Sequence, residues 1–269
     1  MRDLQDRLDF AVQAAQQAGT VTLKYFGKLS PEQRRNKPDG TPVTIADQES
    51  ETLLRTLISE RYPDDAILGE EFDDKPGTSG YRWIIDPIDG TISFVQGVPL
   101  YGTMLACLQD DEPIIGVIHM PVFDETVYAA NGLGCWHLQG QATPSRAALS
   151  TTPSPEDAII NSTSLSYFTT PQLRGLYDRL DEVCRCSRGW SDCYAWVLLA
   201  TGRVDAMIEP DLKLWDFAAA IPIVRESGGI WSDLAGNASL EVTQILAANP
   251  ALHAALLGVC STAVPSSTH

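Results

Sequence analysis

The string WIIDPIDGT (residues 83–91) constrains the fold of this 269-residue chain more than any other segment. Trp83-Ile84-Ile85 is an apolar run of the kind that forms a buried strand, and it runs into Asp86. Pro87 has no N–H and a fixed φ, so the strand is expected to end there. Asp89 follows three residues after Asp86, which puts two carboxylates on one tight turn. They repel each other unless a cation lies between them, and hard divalent cations such as Mg2+ take carboxylate and carbonyl oxygens. The Ile88 carbonyl, between the two aspartates, offers a third oxygen. Gly90 permits close approach to the backbone, and Thr91 offers a hydroxyl and an N–H at an expected helix start, where phosphate binds well. An Asp-Pro or Asp-Gly pair alone signals only a turn; the full string is far more specific.

Other acids stand in comparable settings. In GEE (69–71), Gly69 lets the chain pass closely, and in extended backbone Glu70 and Glu71 would point to opposite sides, one toward a site and one toward solvent. Asp216 opens WDFAAAIPIVRESGG (215–229), where it could cap a helix and lend an oxygen to a metal, while Pro222 should kink that helix. Asp47, after PVTIA, reads as a first-turn helix acid that would accept a hydrogen bond from Thr91 and so polarise a water. The formal net charge of -16 disfavours nucleic acid and anionic lipid as partners and makes cations the natural means of drawing phosphate to these acids.

Hydrophobic periodicity divides the chain. Residues 3–26 carry a helical stripe of Leu4, Leu8, Ala11, Val12, Ala15 and Ala18; 36–44 reads as a turn-rich connector; and a second helix opens at 44–47 and stops before Pro63. Segments 66–71, 81–87, 102–108, 114–120, 125–130 and 134–140 read as successive strands of one antiparallel sheet carrying the two helices, an α+β half. TTPSPED (151–157) is the expected boundary. Beyond it, helices at 171–183, 191–202, 215–227 and 250–259 alternate with strands at 158–162, 203–209, 229–233 and 243–248, a smaller α/β half. The expected units are thus 1–150 and 151–262, with a flexible tail at 263–269.

Six cysteines without CxxC spacing are expected to be reduced thiols. His119, His137, His253 and His269 show no HExxH spacing, and no GxSxG string is present, which disfavours zinc and serine hydrolases. The N-terminal MRDLQDRLDF lacks an apolar signal region and no apolar run is long enough for a bilayer, so the cytoplasm is the expected location.

GEE, then DPIDGT, then WDxAAxxPIxxExGG, in this order and over roughly residues 5–260, resembles the inositol monophosphatase family of magnesium-dependent, lithium-sensitive phosphatases. The resemblance implies a layered α/β/α/β/α fold, two or three Mg2+ per subunit, and a homodimer. It implies that Glu70, Asp86 and the Ile88 carbonyl bind one metal and that Asp86, Asp89 and Asp216 bind a second, with Glu70 reaching a weaker third. Asp47, Glu70 and Thr91 would be catalytic, Thr91 and Asp47 orienting the attacking water, and the Gly90 and Thr91 amides would hold phosphate. Ile92 departs from the family, which often has a polar residue after DGT.

The stretch 191–224, with Asp192-Cys193-Tyr194, ATGRVD, Glu209-Pro210 and WDFAAAIPI, looks like the histidinol-phosphatase branch, although one residue longer after Gly189. Histidinol phosphate carries an ammonium and an imidazole, which Asp192 and Glu209 could hold by charge-assisted hydrogen bonds, with Asp216 also on the substrate. The expected reaction is hydrolysis of this small phosphomonoester. The alternatives are an inositol-1-phosphate or broad sugar-phosphate phosphatase, and a non-catalytic metal- or phosphate-binding regulator.

Overall fold

A computed structural model of the chain describes residues 2–38, 40–190 and 192–263. Helix α1 (Arg2–Leu23) buries the expected stripe of Leu8, Ala11, Ala15 and Ala18. It ends earlier than the periodicity suggests, in a turn that reaches Gly27 at φ 69°, backbone that glycine adopts without strain. The connector 36–44 contains a two-stranded antiparallel hairpin, β1 (Arg34–Asn36) and β2 (Pro42–Thr44). Its strands have three residues each, β1 exposed and β2 half-buried with Thr44 buried, too short for apolar alternation to mark them. Helix α2 (Ile45–Arg61) follows, capped by Thr44.

Strands β3 (Ala66–Gly69) and β4 (Tyr81–Asp89) pair parallel, which corrects the expectation of a wholly antiparallel sheet: the connection 70–80 carries the chain back to the start of the next strand instead of folding as a hairpin. A second correction concerns Pro87. The strand does not stop there but runs on to Asp89, with a register shift between Asp86 and Asp89 that absorbs the missing donor. The Pro87 carbonyl accepts from Thr103 Oγ1 at 2.9 Å. After helix α3 (Thr91–Val95), strands β5 (Gly102–Gln109), β6 (Glu112–Met120), β7 (Glu125–Ala130), β8 (Gly134–Gln139) and β9 (Ser145–Arg146) complete a seven-stranded sheet in the order β3-β4-β5-β6-β7-β8-β9.

The second sheet is mixed, in the order β11-β10-β12-β14-β13. It is formed from β10 (Ile159–Asn161), β11 (Cys186–Arg188), β12 (Ala206–Glu209), β13 (Ile230–Ser232) and β14 (Ile245–Ala248). Its helices are α4 (Pro171–Val183), α5 (Asp192–Ala200), α6 (Leu214–Phe217), α7 (Ala220–Glu226) and α8 (Pro250–Ala263). The helix expected at 215–227 is divided into α6 and α7, because Pro222 has no N–H to give the Ala218 carbonyl. The short β11 was not anticipated. Ala263 ends α8, and the rest of the expected tail, 264–269 with His269, lies outside the described residues.

Strand alternation builds the layers. Trp83, Ile85, Leu105 and Val117 face α1 and α2, while Ile84, Met104, Ala106 and Ile118 face the opposite way, onto α5 and α7. That middle helical layer also receives Met207 and Ala247 of the second sheet, whose other face, with Ile208 and Leu246, packs on α4 and α8. The order is helix, sheet, helix, sheet, helix. All six cysteines are free thiols, and among the described residues no helix is long and apolar enough to cross a membrane.

Candidate active site

The end of β4, the turn into α3, the start of α5, the end of β12 and α6 converge on one cleft of about 400 Å3. Glu70, Asp86, Ile88, Asp89, Gly90, Thr91, Asp192, Glu209 and Asp216 all line it; of the expected site residues, Asp47 alone does not.

Three carboxylates form its acidic centre. Asp86, Asp89 and Asp216 each place one oxygen so that all three lie within 4.8 Å of one another, with Asp86 buried and the other two half-buried. The register shift in β4 turns Asp86 and Asp89 to the same side, and the early start of α6 brings in Asp216, whose Oδ2 accepts from Lys213 N at 2.8 Å. Burial, then the negative charge of Glu70 and of its partners, holds the Asp86 carboxyl well above the usual range. Burial, with Asp192 and Asp216, does the same to Asp89, and Asp216 is pushed up to about 7 chiefly by burial. Hard oxygen donors forced together with this mutual repulsion fit a divalent cation, which would relieve it.

Glu70 stands outside that trio. Lys37, at the tip of the β1–β2 hairpin, places Nζ 2.7 Å from Glu70 Oε1 and 2.8 Å from Glu71 Oε1. The two acids therefore do not part to opposite sides. The strand ends at Gly69, so extended alternation no longer governs them. Burial opposes the Lys37 charge, but its bonds to both glutamates outweigh that and raise its pKa, while burial pushes Glu71 up to about 7. Glu51 of α2, fully buried, supports the corner: Oε2 accepts from Glu71 N at 2.8 Å and Oε1 pairs with Arg55 at 2.7 Å. A Cβ at Gly69 would lie 2.0 Å from Glu51 Oε1, which is why glycine stands there.

The expected hydrogen bond between Thr91 and Asp47 is not made. Thr91 Oγ1 donates to the Ile88 carbonyl at 3.0 Å, three residues back across the turn. Asp47 Oδ2 accepts instead from Thr44 N (2.8 Å) and Thr44 Oγ1 (2.5 Å), the closing bonds of the α2 cap. Its Oδ1 is buried with no hydrogen-bond partner among the described residues, and burial pushes the carboxyl up to about 6 against the pull of Thr44.

Gly90 has φ 88°, and a Cβ there would stand 3.0 Å from Asp192 Oδ2, so its bareness admits Asp192 to the cleft. Asp192 itself has φ 51° and donates its N–H to Thr163 Oγ1 at 3.1 Å. The buried Glu209 accepts from Thr163 N, and burial, with the field of Asp192 and Asp216, pushes it up to about 8 despite that bond. Ile92 is 59% exposed at the cleft mouth. Lys37, Thr163 and Lys213 carry no pattern that sequence reasoning could find; Glu51 is also missed by it, although it lies one turn after Asp47 on the buried stripe of α2.

The sequence profile of the inositol monophosphatase family matches residues 3–264. The histidinol-phosphatase of Chlorobaculum parvum (strain DSM 263 / NCIMB 8327) is 41% identical over 87% of this chain and 88% of its own length. The histidinol-phosphatase of Mycobacterium tuberculosis (strain ATCC 25618 / H37Rv) is 36% identical over 92% of this chain and 95% of its own. Among solved structures, extragenic suppressor protein suhB from Bartonella henselae superposes with a TM-score of 0.87 at 26% identity, covering 96% of this chain and all of that one.

Proposed function

We propose that this chain, which belongs to the inositol monophosphatase family and is a phosphoric monoester hydrolase, hydrolyses L-histidinol phosphate to L-histidinol and phosphate with Mg2+. The observation that carries this reading is the presence of Asp192 and Glu209 in the same cleft as the Asp86, Asp89 and Asp216 trio. A phosphate ester whose organic part bears an ammonium and an imidazole matches two such acids, whereas an inositol ring offers them no charge. Among the described residues Lys213 is the only basic one lining the cleft, so a second phosphate, as in a sugar bisphosphate, would lack a cationic cradle.

Asp86, Asp89 and Asp216, with Glu70 and the Ile88 carbonyl, would hold two or three Mg2+. Bound there, the ions would neutralise the ester oxygens, acidify water and stabilise the leaving oxygen. The Gly90 and Thr91 amides would orient the phosphate. Asp47, with its free Oδ1, would take part in the proton path once Thr91 turns its hydroxyl from Ile88. A homodimer and a cytoplasmic location complete the reading. The complete acid set supports turnover over a purely regulatory role.

The test is side-by-side turnover of L-histidinol phosphate and inositol-1-phosphate with Mg2+. The proposal expects the histidinol ester to have the higher kcat/KM by at least about tenfold. Preference for the inositol ester would make the chain an inositol phosphatase instead.

A further inference from the structure

We propose that Thr163 is a positioning residue: it fixes Asp192 relative to Glu209 and thereby sets the preference of the cleft for a cationic phosphate ester. The inference rests on the substrate reading above. Its starting point is the backbone of Asp192, whose φ of 51° is disfavoured for a residue with a Cβ and persists only where the surroundings impose it. Those surroundings are the chain leaving β10. Asn161, fully buried, clamps Trp190 twice, accepting from Trp190 N at 2.9 Å and donating from Nδ2 to Trp190 O at 3.2 Å. Ser162 N donates to Arg188 O at 3.0 Å. Thr163 then completes the ties: its hydroxyl accepts from Asp192 N, and its own N–H donates to Glu209 Oε1.

One residue thus joins two acids that come from different elements, the start of α5 and the end of β12. The two bonds differ in kind. The N–H to Glu209 belongs to the backbone and survives substitution at 163, whereas the acceptor for Asp192 N is the side-chain hydroxyl. Without it, the Asp192 amide loses a partner and its left-handed backbone loses a restraint. Its carboxylate then drifts from Gly90 and from the register that suits two cations on one substrate. Thr163→Val keeps the shape and removes the acceptor; Thr163→Ser keeps the acceptor.

The experiment measures KM and kcat at saturating Mg2+ for L-histidinol phosphate and for phenyl phosphate, which has no cation. Thr163→Val is expected to raise KM for the histidinol ester by about tenfold, with kcat and the phenyl phosphate KM moving less than about threefold. Thr163→Ser should restore KM to within about threefold of the parent. Equal shifts for both esters, no shift, or failure of serine to rescue would overturn the assignment. If the valine variant does not fold, Thr163→Ala gives the same reading. Asp192→Ala and Glu209→Gln run in parallel separate the two claims. Should they abolish the preference while Thr163→Val leaves it intact, only the role of Thr163 falls. Should they leave the preference unchanged, neither acid holds the substrate cation and the role of Thr163 falls with them, while the substrate itself stays decided by the comparison with inositol-1-phosphate.

Discussion

Lys37 Nζ lies 2.7 Å from Glu70 Oε1, so an ammonium from the β1–β2 hairpin occupies the acid that the sequence directs at a divalent cation. The hairpin tip that presents it is closed by Lys37 N to Thr41 O at 2.8 Å and Gly40 N to Lys37 O at 2.9 Å. A fixed positive charge at this carboxylate competes with any metal there. Lys37→Gln should therefore lower the Mg2+ concentration needed for half-saturation by about threefold to tenfold, read by titration calorimetry. Weaker Mg2+ binding in the variant would show that Lys37 assists the metal and does not compete with it.

The trio makes the opposite prediction. Asp89→Asn or Asp216→Asn removes one charge from a cluster whose oxygens lie within 4.8 Å of one another. The metal-free protein should melt at a higher temperature than the parent, because repulsion is relieved, while Mg2+ affinity and turnover collapse, turnover by about a thousandfold or more. Undiminished turnover in the folded variants would disprove the metal-ligand assignment.

Proton linkage gives a third. In the metal-free protein the Asp216 carboxyl is pushed up to about 7 and that of Glu209 up to about 8, both chiefly by burial. In the unfolded chain such groups release their protons near about 4. Between those values the folded state binds more protons, so stability is fully present at the acid end and is lost as pH rises through about 7 to 8. Tm of chelator-treated protein should fall from about pH 5.5 to 8.5, and added Mg2+ should raise Tm more at the alkaline end. A melting temperature that rises with pH under chelation contradicts this.

Thr44 links fold and site. Its hydroxyl donates to Asp47 Oδ2 at 2.5 Å and accepts from Ala46 N at 3.1 Å. Thr44→Val should cost about 1–2 kcal/mol in urea unfolding and also reduce kcat, because Asp47 loses an anchor. Thr44→Ser should preserve both.

Stability without function is expected at Arg7. Its guanidinium pairs with the buried Asp65 at 2.6 Å and lies between the rings of Tyr62 (4.0 Å) and Tyr81 (3.8 Å), none of them lining the cleft. Trp83 Nε1 donates to the same Asp65 oxygen at 2.9 Å. Arg7→Met should cost about 3–5 kcal/mol by leaving that carboxylate unpaired, with KM unchanged in the surviving folded fraction. A changed KM would mean that this pair communicates with the cleft.

The first two helices, most of the strands of the larger sheet and much of the cleft wall are legible in the residues alone, while the layering came from the family resemblance. Period-3.6 stripes marked α1 and α2, apolar runs marked β4 to β8, and DPIDGT marked the turn, because these signals reside in neighbouring residues whose geometry is local. Asp47 and Glu51 are buried acids on the stripe of α2 that Leu54 and Ile58 continue, and their shared spacing of one turn is readable in the sequence. Which partners those side chains take is settled only by the closed fold. The parallel pairing of β3 with β4, the ammonium of Lys37 on Glu70, and Thr163 between Asp192 and Glu209 all join separate segments by distance and angle, while Thr91 takes the nearby Ile88 carbonyl in place of the distant Asp47. Hydrogen bonds and ion pairs form over a few ångströms and depend on orientation, so residues far apart in the chain choose among partners only after the backbone has closed around them.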